Sequence, residues 1–175
     1  MPDTAQERKL RQHFELFDFD GNGFIERSDI EAFVERITEA AGAEGTPQGL
    51  RLREEGDRLW RHLQRTLDTD GDQRISRDEF VGAADLGVVL AMAVELGAAS
   101  FEVTDTDRDG RISLQEWIGM DRKLGVSRAD SLHGFRLLDL DGDGFVTRAE
   151  YLRGVEEFYR SDDPQAPGSW AFGGF

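Results

Sequence analysis

Four times this chain spells a twelve-residue segment with acid or amide side chains at positions 1, 3 and 5, a carboxylate at position 12 and an aliphatic residue at position 8. These are Asp18–Asp29, Asp68–Glu79, Asp105–Glu116 and Asp139–Glu150. Carboxylates this close together repel unless a hard cation sits among them, and calcium takes roughly six to eight oxygens. A loop can supply these from side chains at positions 1, 3 and 5, the carbonyl of 7, a group or water at 9, and a two-oxygen carboxylate at 12. Solvated Asp/Gly turns would account for the acids but not for a shared aliphatic eighth position, nor for four repeats.

The third and fourth segments fit at every one of these positions. DTDRDGRISLQE offers Asp105, Asp107, Asp109, the carbonyl of Arg111, Ser113 or its water, and Glu116. DLDGDGFVTRAE offers Asp139, Asp141, Asp143, the carbonyl of Phe145, Thr147 or its water, and Glu150. Gly110 and Gly144 occupy position 6, where the chain turns with positive φ and a side chain is penalised. Ile112 and Val146 are expected side by side on a short antiparallel bridge that couples the two loops.

Each of the other two segments departs once. DFDGNGFIERSD offers Asp18, Asp20, Asn22, the carbonyl of Phe24 and Glu26, but closes on Asp29. A carboxylate one methylene shorter holds an ion less readily with both oxygens, so coordination falls toward the octahedral geometry that magnesium prefers. DTDGDQRISRDE keeps Asp68, Asp70, Asp72, the carbonyl of Arg74, Ser76 and Glu79, but sets Gln73 at the glycine position. Left-handed backbone costs such a residue about 1–2 kcal/mol, or roughly five- to thirtyfold in affinity. That weakens the second loop without abolishing it.

Apolar residues at helical spacing flank every loop. Leu10, Phe14 and Phe17 lead into the first, and Ile30, Phe33, Val34 and Ile37 leave it. A break is predicted over Gly42–Gly49. Leu52, Leu59, Trp60, Leu63 and Leu67 approach the second loop, and Val89, Ala93, Leu96 and Phe101 the third. Ser127 caps the helix that carries Phe135 and Leu138 into the fourth. The fold class is all-α: eight helices form four EF-hands in two pairs, 1–85 and 86–160, with an apolar tail over 161–175. Gly82, Gly87 and Gly97 disfavour one long rigid connector, so the pairs are expected to pack together as a single unit.

Sixteen of the thirty-six acidic residues occupy ligand positions, and the other twenty nearly balance twenty-one Lys and Arg. The formal charge of −15 is therefore a property of the loops, and four divalent ions would bring it to −7. A chain this acidic is repelled by phosphate, which excludes a nucleic-acid partner. Without cysteine there is no thiolate site or thiol nucleophile. Leu86–Phe101, the longest apolar stretch, is interrupted by Glu95 and two glycines and is too short for a bilayer. A monomer in the cytoplasm, with no membrane partner and no catalysis, is expected.

The stretch FELFDFDGNGFIERSDIEAFVERI, an Asp-ended first loop and a widely spaced first pair resemble the sarcoplasmic calcium-binding proteins and calerythrin, over essentially the whole chain. That resemblance implies intracellular calcium buffering or transport without catalysis. The second loop is often dead in that family but keeps all its acids here, which leaves three or four ions. Two other functions compete. A calmodulin-like sensor needs a Met-rich groove, and only Met1, Met92 and Met120 are available. The coelenterazine-binding photoproteins and luciferin-binding proteins, which resemble the same family, line a cavity with His, Trp and Tyr. His13, His62, His133, Trp60, Trp117, Tyr151 and Tyr159 could supply one, although ordinary packing explains them as well. In the tail, Trp170 and Phe172 are expected to fold onto the apolar surface between the two halves and cover it.

Overall fold

A computed structural model describes residues 5–82, 86–161 and 166–170. Its elements follow the repeats: α1 (Ala5–Phe17), β1 (Phe24–Ile25), α2 (Arg27–Ala41), α3 (Pro47–Leu67), β2 (Ile75–Ser76), α4 (Arg77–Val81), α5 (Leu86–Thr104), β3 (Arg111–Ser113), α6 (Leu114–Leu124), α7 (Arg128–Leu138), β4 (Phe145–Thr147) and α8 (Arg148–Arg160), then a 3₁₀ turn, Pro167–Trp170. Eight α-helices in four hands are thus present among the described residues, as the apolar spacing predicts.

Each loop contributes a short strand, and the strands pair within hands one and two and within hands three and four. Ile25 lies opposite Ile75, and Ile112 opposite Val146. All four of these side chains are fully enclosed. The eighth position is aliphatic because it is the point where two loops meet and the core begins.

The break between α2 and α3 is narrower than predicted. Gly42 ends α2 in the left-handed conformation (φ 63°), but α3 already starts at Pro47, with Thr46 as its cap, and absorbs Gly49. Proline fits the first helical position, where its missing N–H is not needed. At the other junction α4 stops at Val81, with Gly82 as its cap, and α5 begins at Leu86, so no single helix joins the halves.

Helix α5 is apolar all round rather than on one stripe, as a helix at the centre of a fold must be. It packs on α3 and on α8. A Cβ at Gly97 would stand 3.2 Å from Val155 Cγ2, so this glycine lets α5 and α8 approach closely. The described part of the tail follows a different course from the predicted one. Ala166 is buried, Gly168 N–H donates to Glu157 Oε2 (2.9 Å), and the turn rests on α7 and α8 instead of between the halves. The Trp170 side chain and Phe172 lie outside the described residues.

Candidate metal centres

Each exiting helix starts inside its loop, and its cap is made by residues that the loop pattern predicts as ligands. Position 9 is the N-cap and position 12 the third helical residue, giving the reciprocal hydrogen bonds of a capping box at Ser76/Glu79, Ser113/Glu116 and Thr147/Glu150. The closing carboxylate also reaches back across the loop. Its Oε1 accepts from the position-2 N–H at Thr69 (2.9 Å), Thr106 (2.8 Å) and Leu140 (2.9 Å). Its Oε2 accepts from the position-9 N–H, at 2.8 Å in all three. Asp29 spans the same pair of donors, Phe19 N at 3.1 Å and Glu26 N at 2.7 Å. The shorter side chain does so from a buried position, only 3% exposed.

The other acids are aimed inward by backbone donors. In every loop the position-6 N–H donates to the first aspartate: Gly23 to Asp18, Gln73 to Asp68, Gly110 to Asp105 and Gly144 to Asp139, at 2.9–3.0 Å. The position-7 N–H donates to position 5, at Asn22, Asp72, Asp109 and Asp143. Carboxylate oxygens consequently converge within 4.8 Å of one another in four clusters: Asp18, Asp20 and Asp29; Asp68, Asp70 and Asp72; Asp105, Asp107 and Glu116; Asp139, Asp141 and Glu150. Glu79 stands outside the second cluster, so that loop gathers its acids from one end only. In the first, Asp18 Oδ1 is enclosed yet accepts no hydrogen bond, an orphaned oxygen on a residue of the cluster. An all-oxygen donor set of this kind suits calcium or magnesium.

Two forces act on these acids. Burial raises Asp29 and Asp105 above the ordinary aspartate value despite the backbone N–H groups that oppose it. Glu79 goes the other way, down to about 2, because the Ser76 N–H and the other donors of its cap hold the charged form. At Glu116 and Glu150 desolvation pushes upward, but bonds from Ser113 and Thr106, and from Thr147 and Leu140, outweigh it and leave both lowered.

Two features of the loops escaped the sequence analysis. Position 4 is left-handed as well as position 6. Gly21, Gly71 and Gly142 adopt it freely, but in the third loop it falls on Arg108 (φ 62°), beside Gln73 (φ 68°) in the second. Aligning the four repeats would have revealed it, since three of them carry glycine there. Position 7 is the other feature. The guanidinium of Arg74 lies 4.1 Å from the centre of the Phe24 ring in the partner loop, and that of Arg111 lies 3.9 Å from Phe145. Both arginines also pair with the position-5 aspartate of their own loop, Asp72 and Asp109. One cation thus bridges each pair of loops and neutralises part of the charge inside it.

An EF-hand domain pair is recognised over residues 7–84 and single EF hands over 98–120 and 133–155. The solved structure of a Streptomyces coelicolor calcium-binding protein, described in terms of prokaryotic calcium-mediated regulation, matches with a TM-score of 0.77 at 31% identity, covering 88% of this chain and 97% of that one. The chain belongs to the EF-hand calcium-binding family of calerythrin and the sarcoplasmic calcium-binding proteins. Calerythrin of Saccharopolyspora erythraea is 27% identical over 162 residues, 86% of this chain and 90% of calerythrin. The amphioxus sarcoplasmic calcium-binding protein shares the fold over 99% of this chain and 98% of its own, with a TM-score of 0.76 at 17% identity. As a calerythrin-like EF-hand protein this chain binds calcium, and among its described residues no helix is long and apolar enough to cross a membrane.

Proposed function

We propose that this protein is a monomeric cytoplasmic calcium buffer, filling three or four of its loops and performing no catalysis. The observation that carries the proposal is how little apolar surface remains for a target. Among the described residues the only large hydrophobic side chains classed as exposed are Leu50 and Leu140, one on α3 and one in the fourth loop. The faces that a sensor would open are occupied by the chain itself. Lys123 Nζ of α6 donates to the Glu39 and Ala40 carbonyls at the end of α2 (3.0 and 3.2 Å), and Arg51 of α3 pairs with Glu102 of α5 at 2.9 Å. Tyr159 Oη and His13 Nε2, 2.6 Å apart, link the last helix to the first.

The ligands assigned to the ions are those of the loop pattern. Asp18, Asp20, Asn22, the Phe24 carbonyl, Glu26 and Asp29 serve the first, and Asp68, Asp70, Asp72, the Arg74 carbonyl, Ser76 and Glu79 the second. Asp105, Asp107, Asp109, the Arg111 carbonyl, Ser113 and Glu116 serve the third, and Asp139, Asp141, Asp143, the Phe145 carbonyl, Thr147 and Glu150 the fourth. Because Asp29 is one methylene shorter than the glutamate that closes the other loops, the first site leans toward six-coordination and accepts magnesium better than the third and fourth do.

Two observations favour other readings. The Streptomyces relative is tied to calcium-mediated regulation, which would suit a sensor. A cavity of about 130 Å³ between the halves, lined by Phe33, Ile37, Leu96, Trp117, Asp121 and Tyr151, would suit a ligand carrier. It is smaller than the roughly 300–1,000 Å³ usual for sites that enclose organic ligands.

Calorimetric titration with calcium, with and without magnesium and with a hydrophobic dye present, tests the proposal. A buffer shows three or four bound ions and no rise in dye fluorescence on loading. A large rise would identify a sensor, and magnesium competing equally at every site would remove the special role given to Asp29.

A further inference from the structure

The chain contains a single asparagine, Asn22, and a glycine follows it. It stands exposed at position 5 of the first loop, where the other three loops carry aspartate. An asparagine can be attacked at its side-chain carbonyl carbon by the backbone nitrogen of the next residue. Glycine there removes the steric barrier and leaves the backbone free to rotate into place. Most folded loops prevent the attack by holding the groups apart or by offering nothing to take the proton.

This loop offers the assistance the step needs. Gly23 N–H, the nucleophile, donates to Asp18 Oδ2 at 2.9 Å, so a carboxylate stands ready to accept its proton. Phe24 N–H donates to Asn22 Oδ1 at 2.9 Å. That contact turns the side-chain carbonyl toward the chain that follows it and stabilises the negative charge that develops on its oxygen. Asn22 Nδ2, the leaving group, donates to Asp20 Oδ2 and Glu26 Oε2 at 3.0 and 3.1 Å. Gly23 itself has φ 88° and nothing within 4 Å of the place a Cβ would occupy.

We propose that Asn22 is a self-modification site governed by the ion in the first loop. In the ion-free loop the Gly23 nitrogen bonds to Asn22 Cγ and gives up its proton. The Cγ–Nδ2 bond breaks, the amide nitrogen gains a proton and leaves as ammonia, and a succinimide remains. Water then opens the ring at either carbonyl, yielding aspartate or isoaspartate. No oxidant or reductant takes part. A bound cation stops the first step by drawing on the Asp18 carboxylate that would accept the proton and on the Asn22 oxygen, which pins the side chain; this part rests on the assignment of both residues as ligands.

The products differ from the parent in a way that reaches the site. Aspartate at 22 adds a fifth carboxylate to Asp18, Asp20, Glu26 and Asp29 and removes the amide that bridges Asp20 and Glu26. Isoaspartate lengthens the backbone by one atom and carries the Phe24 carbonyl away from the ion. Chains kept short of calcium would therefore accumulate an isoaspartate fraction that loses the first site and an aspartate fraction with an altered one, while chains kept loaded would retain the parent site.

The test is incubation of the full chain at neutral pH and physiological temperature, in chelator or in calcium, followed by peptide mapping and isoaspartate labelling. In chelator the mass gain of amide-to-acid exchange should appear in the peptide that carries Asn22, with isoaspartate beside it. Calcium at a hundredfold excess over Kd leaves about a hundredth of the loops ion-free and should slow the reaction about a hundredfold. Absence of the gain in chelator overturns the chemistry itself. Equal rates in chelator and calcium, in a sample whose calorimetry shows the first site filled, overturn the protection by the ion. If calorimetry shows that site empty, the ligand assignment fails while the chelator arm still decides the chemistry.

Discussion

Among the described residues each half of the molecule carries one residue with a β-carbon in left-handed backbone, but the two halves place it differently. In the first pair it is Gln73 at position 6 (φ 68°), whose own N–H is one of the bonds that aim Asp68 into its cluster. In the second it is Arg108 at position 4 (φ 62°), whose side chain leaves the loop and meets Gln48 of α3 at 3.5 Å. Neither position is sterically crowded, since a Cβ at the equivalent glycines of the other loops would meet nothing within 4 Å. The penalty is therefore that of the backbone alone, about 1–2 kcal/mol. What separates the halves is the position where that cost falls: both backbones touch the first aspartate of their loop, but at position 6 in the second loop and at position 4 in the third, where the side chain leads away to α3. The ladders add to the contrast, with two paired residues in the first half and three in the second.

Removing the closing carboxylate should break the comparison most severely. Glu116→Ala takes away an ion ligand and the capping box of α6 together, so calcium stoichiometry should fall by one and the fourth site should weaken through the Ile112–Val146 pairing. Loss of the Glu116 half of that box, with Ser113 still capping the position-116 N–H, costs about 0.5–1.5 kcal/mol of stability. Glu79→Ala should cost the second loop the same cap, but its effect on ion count is smaller if the loop relies on Asp68, Asp70 and Asp72, the cluster from which Glu79 is absent. Titration of both variants, read with their thermal melts, checks this. Equal losses in the two halves would remove the distinction.

The halves also answer differently to protons. Asp121 of α6 is buried beside the cavity, and desolvation lifts it from 3.8 to about 6. Between those values the folded chain holds a proton that the unfolded chain has released, so stability falls as pH rises through the window and the deficit persists above it. His13 of α1 has the opposite sign. Burial lowers it from 6.5 to about 3, so the unfolded chain takes up the proton first and stability is lost as pH falls below about 6.5. Asp121→Asn should then stabilise the protein at neutral pH by about 2–3 kcal/mol, with little gain near pH 4. Chemical denaturation across pH reads the difference; a flat gain at all pH values would mean that the charge is not what the substitution removes.

A more selective probe is Gln73→Gly. Relieving left-handed strain inside the ligand network should tighten calcium at the second site by roughly five- to thirtyfold and leave the other sites unchanged. Glycine also enlarges the unfolded ensemble, which offsets about 0.5–1 kcal/mol of any gain in melting. Calorimetry and a melt on the same sample separate the two effects. A higher melting temperature with unchanged affinity would show that the strain is borne in folding rather than in ion binding.

Much of this was legible in the sequence, and the reason is that the loops are local. A twelve-residue spacing fixes which carboxylates can meet, the aliphatic eighth residue fixes which loops pair, and Ser–x–x–Glu fixes where the next helix begins. What escaped depends on distance or on reading the repeats against one another. The His13–Tyr159 contact joins residues 146 apart and exists only once α1 and α8 are docked. The guanidinium of Arg74 over Phe24 requires the two loops already side by side, so no pattern within either loop announces it. The seat of the 3₁₀ turn on α7 and α8 follows from Gly168, which fits where a Cβ would lie 2.4 Å from the Gly154 carbonyl oxygen. The apolar character of the tail marks it for packing but does not specify the α7 and α8 surface on which its described turn sits.

Arg108→Gly should produce the smallest change and sharpens the comparison furthest. The substitution removes the same backbone penalty as Gln73→Gly, but at a position that contributes no ligand and whose side chain leads away from the ion. Glycine's entropic cost offsets much of that relief, and the long contact between the exposed Arg108 and the half-buried Gln48 adds little to stability. Calcium affinity at the third site should therefore move by less than about threefold, well under 1 kcal/mol. The charge adds a modest opposing term. Removing a cation next to Asp105, Asp107 and Asp109 raises the local negative potential and favours the ion, so part of any tightening will be sensitive to salt. Titration at low and high ionic strength distinguishes these contributions. A tenfold gain that survives high salt would show that left-handed backbone at position 4 costs binding as much as it does at position 6, and the contrast between the halves would then rest on the ladders alone.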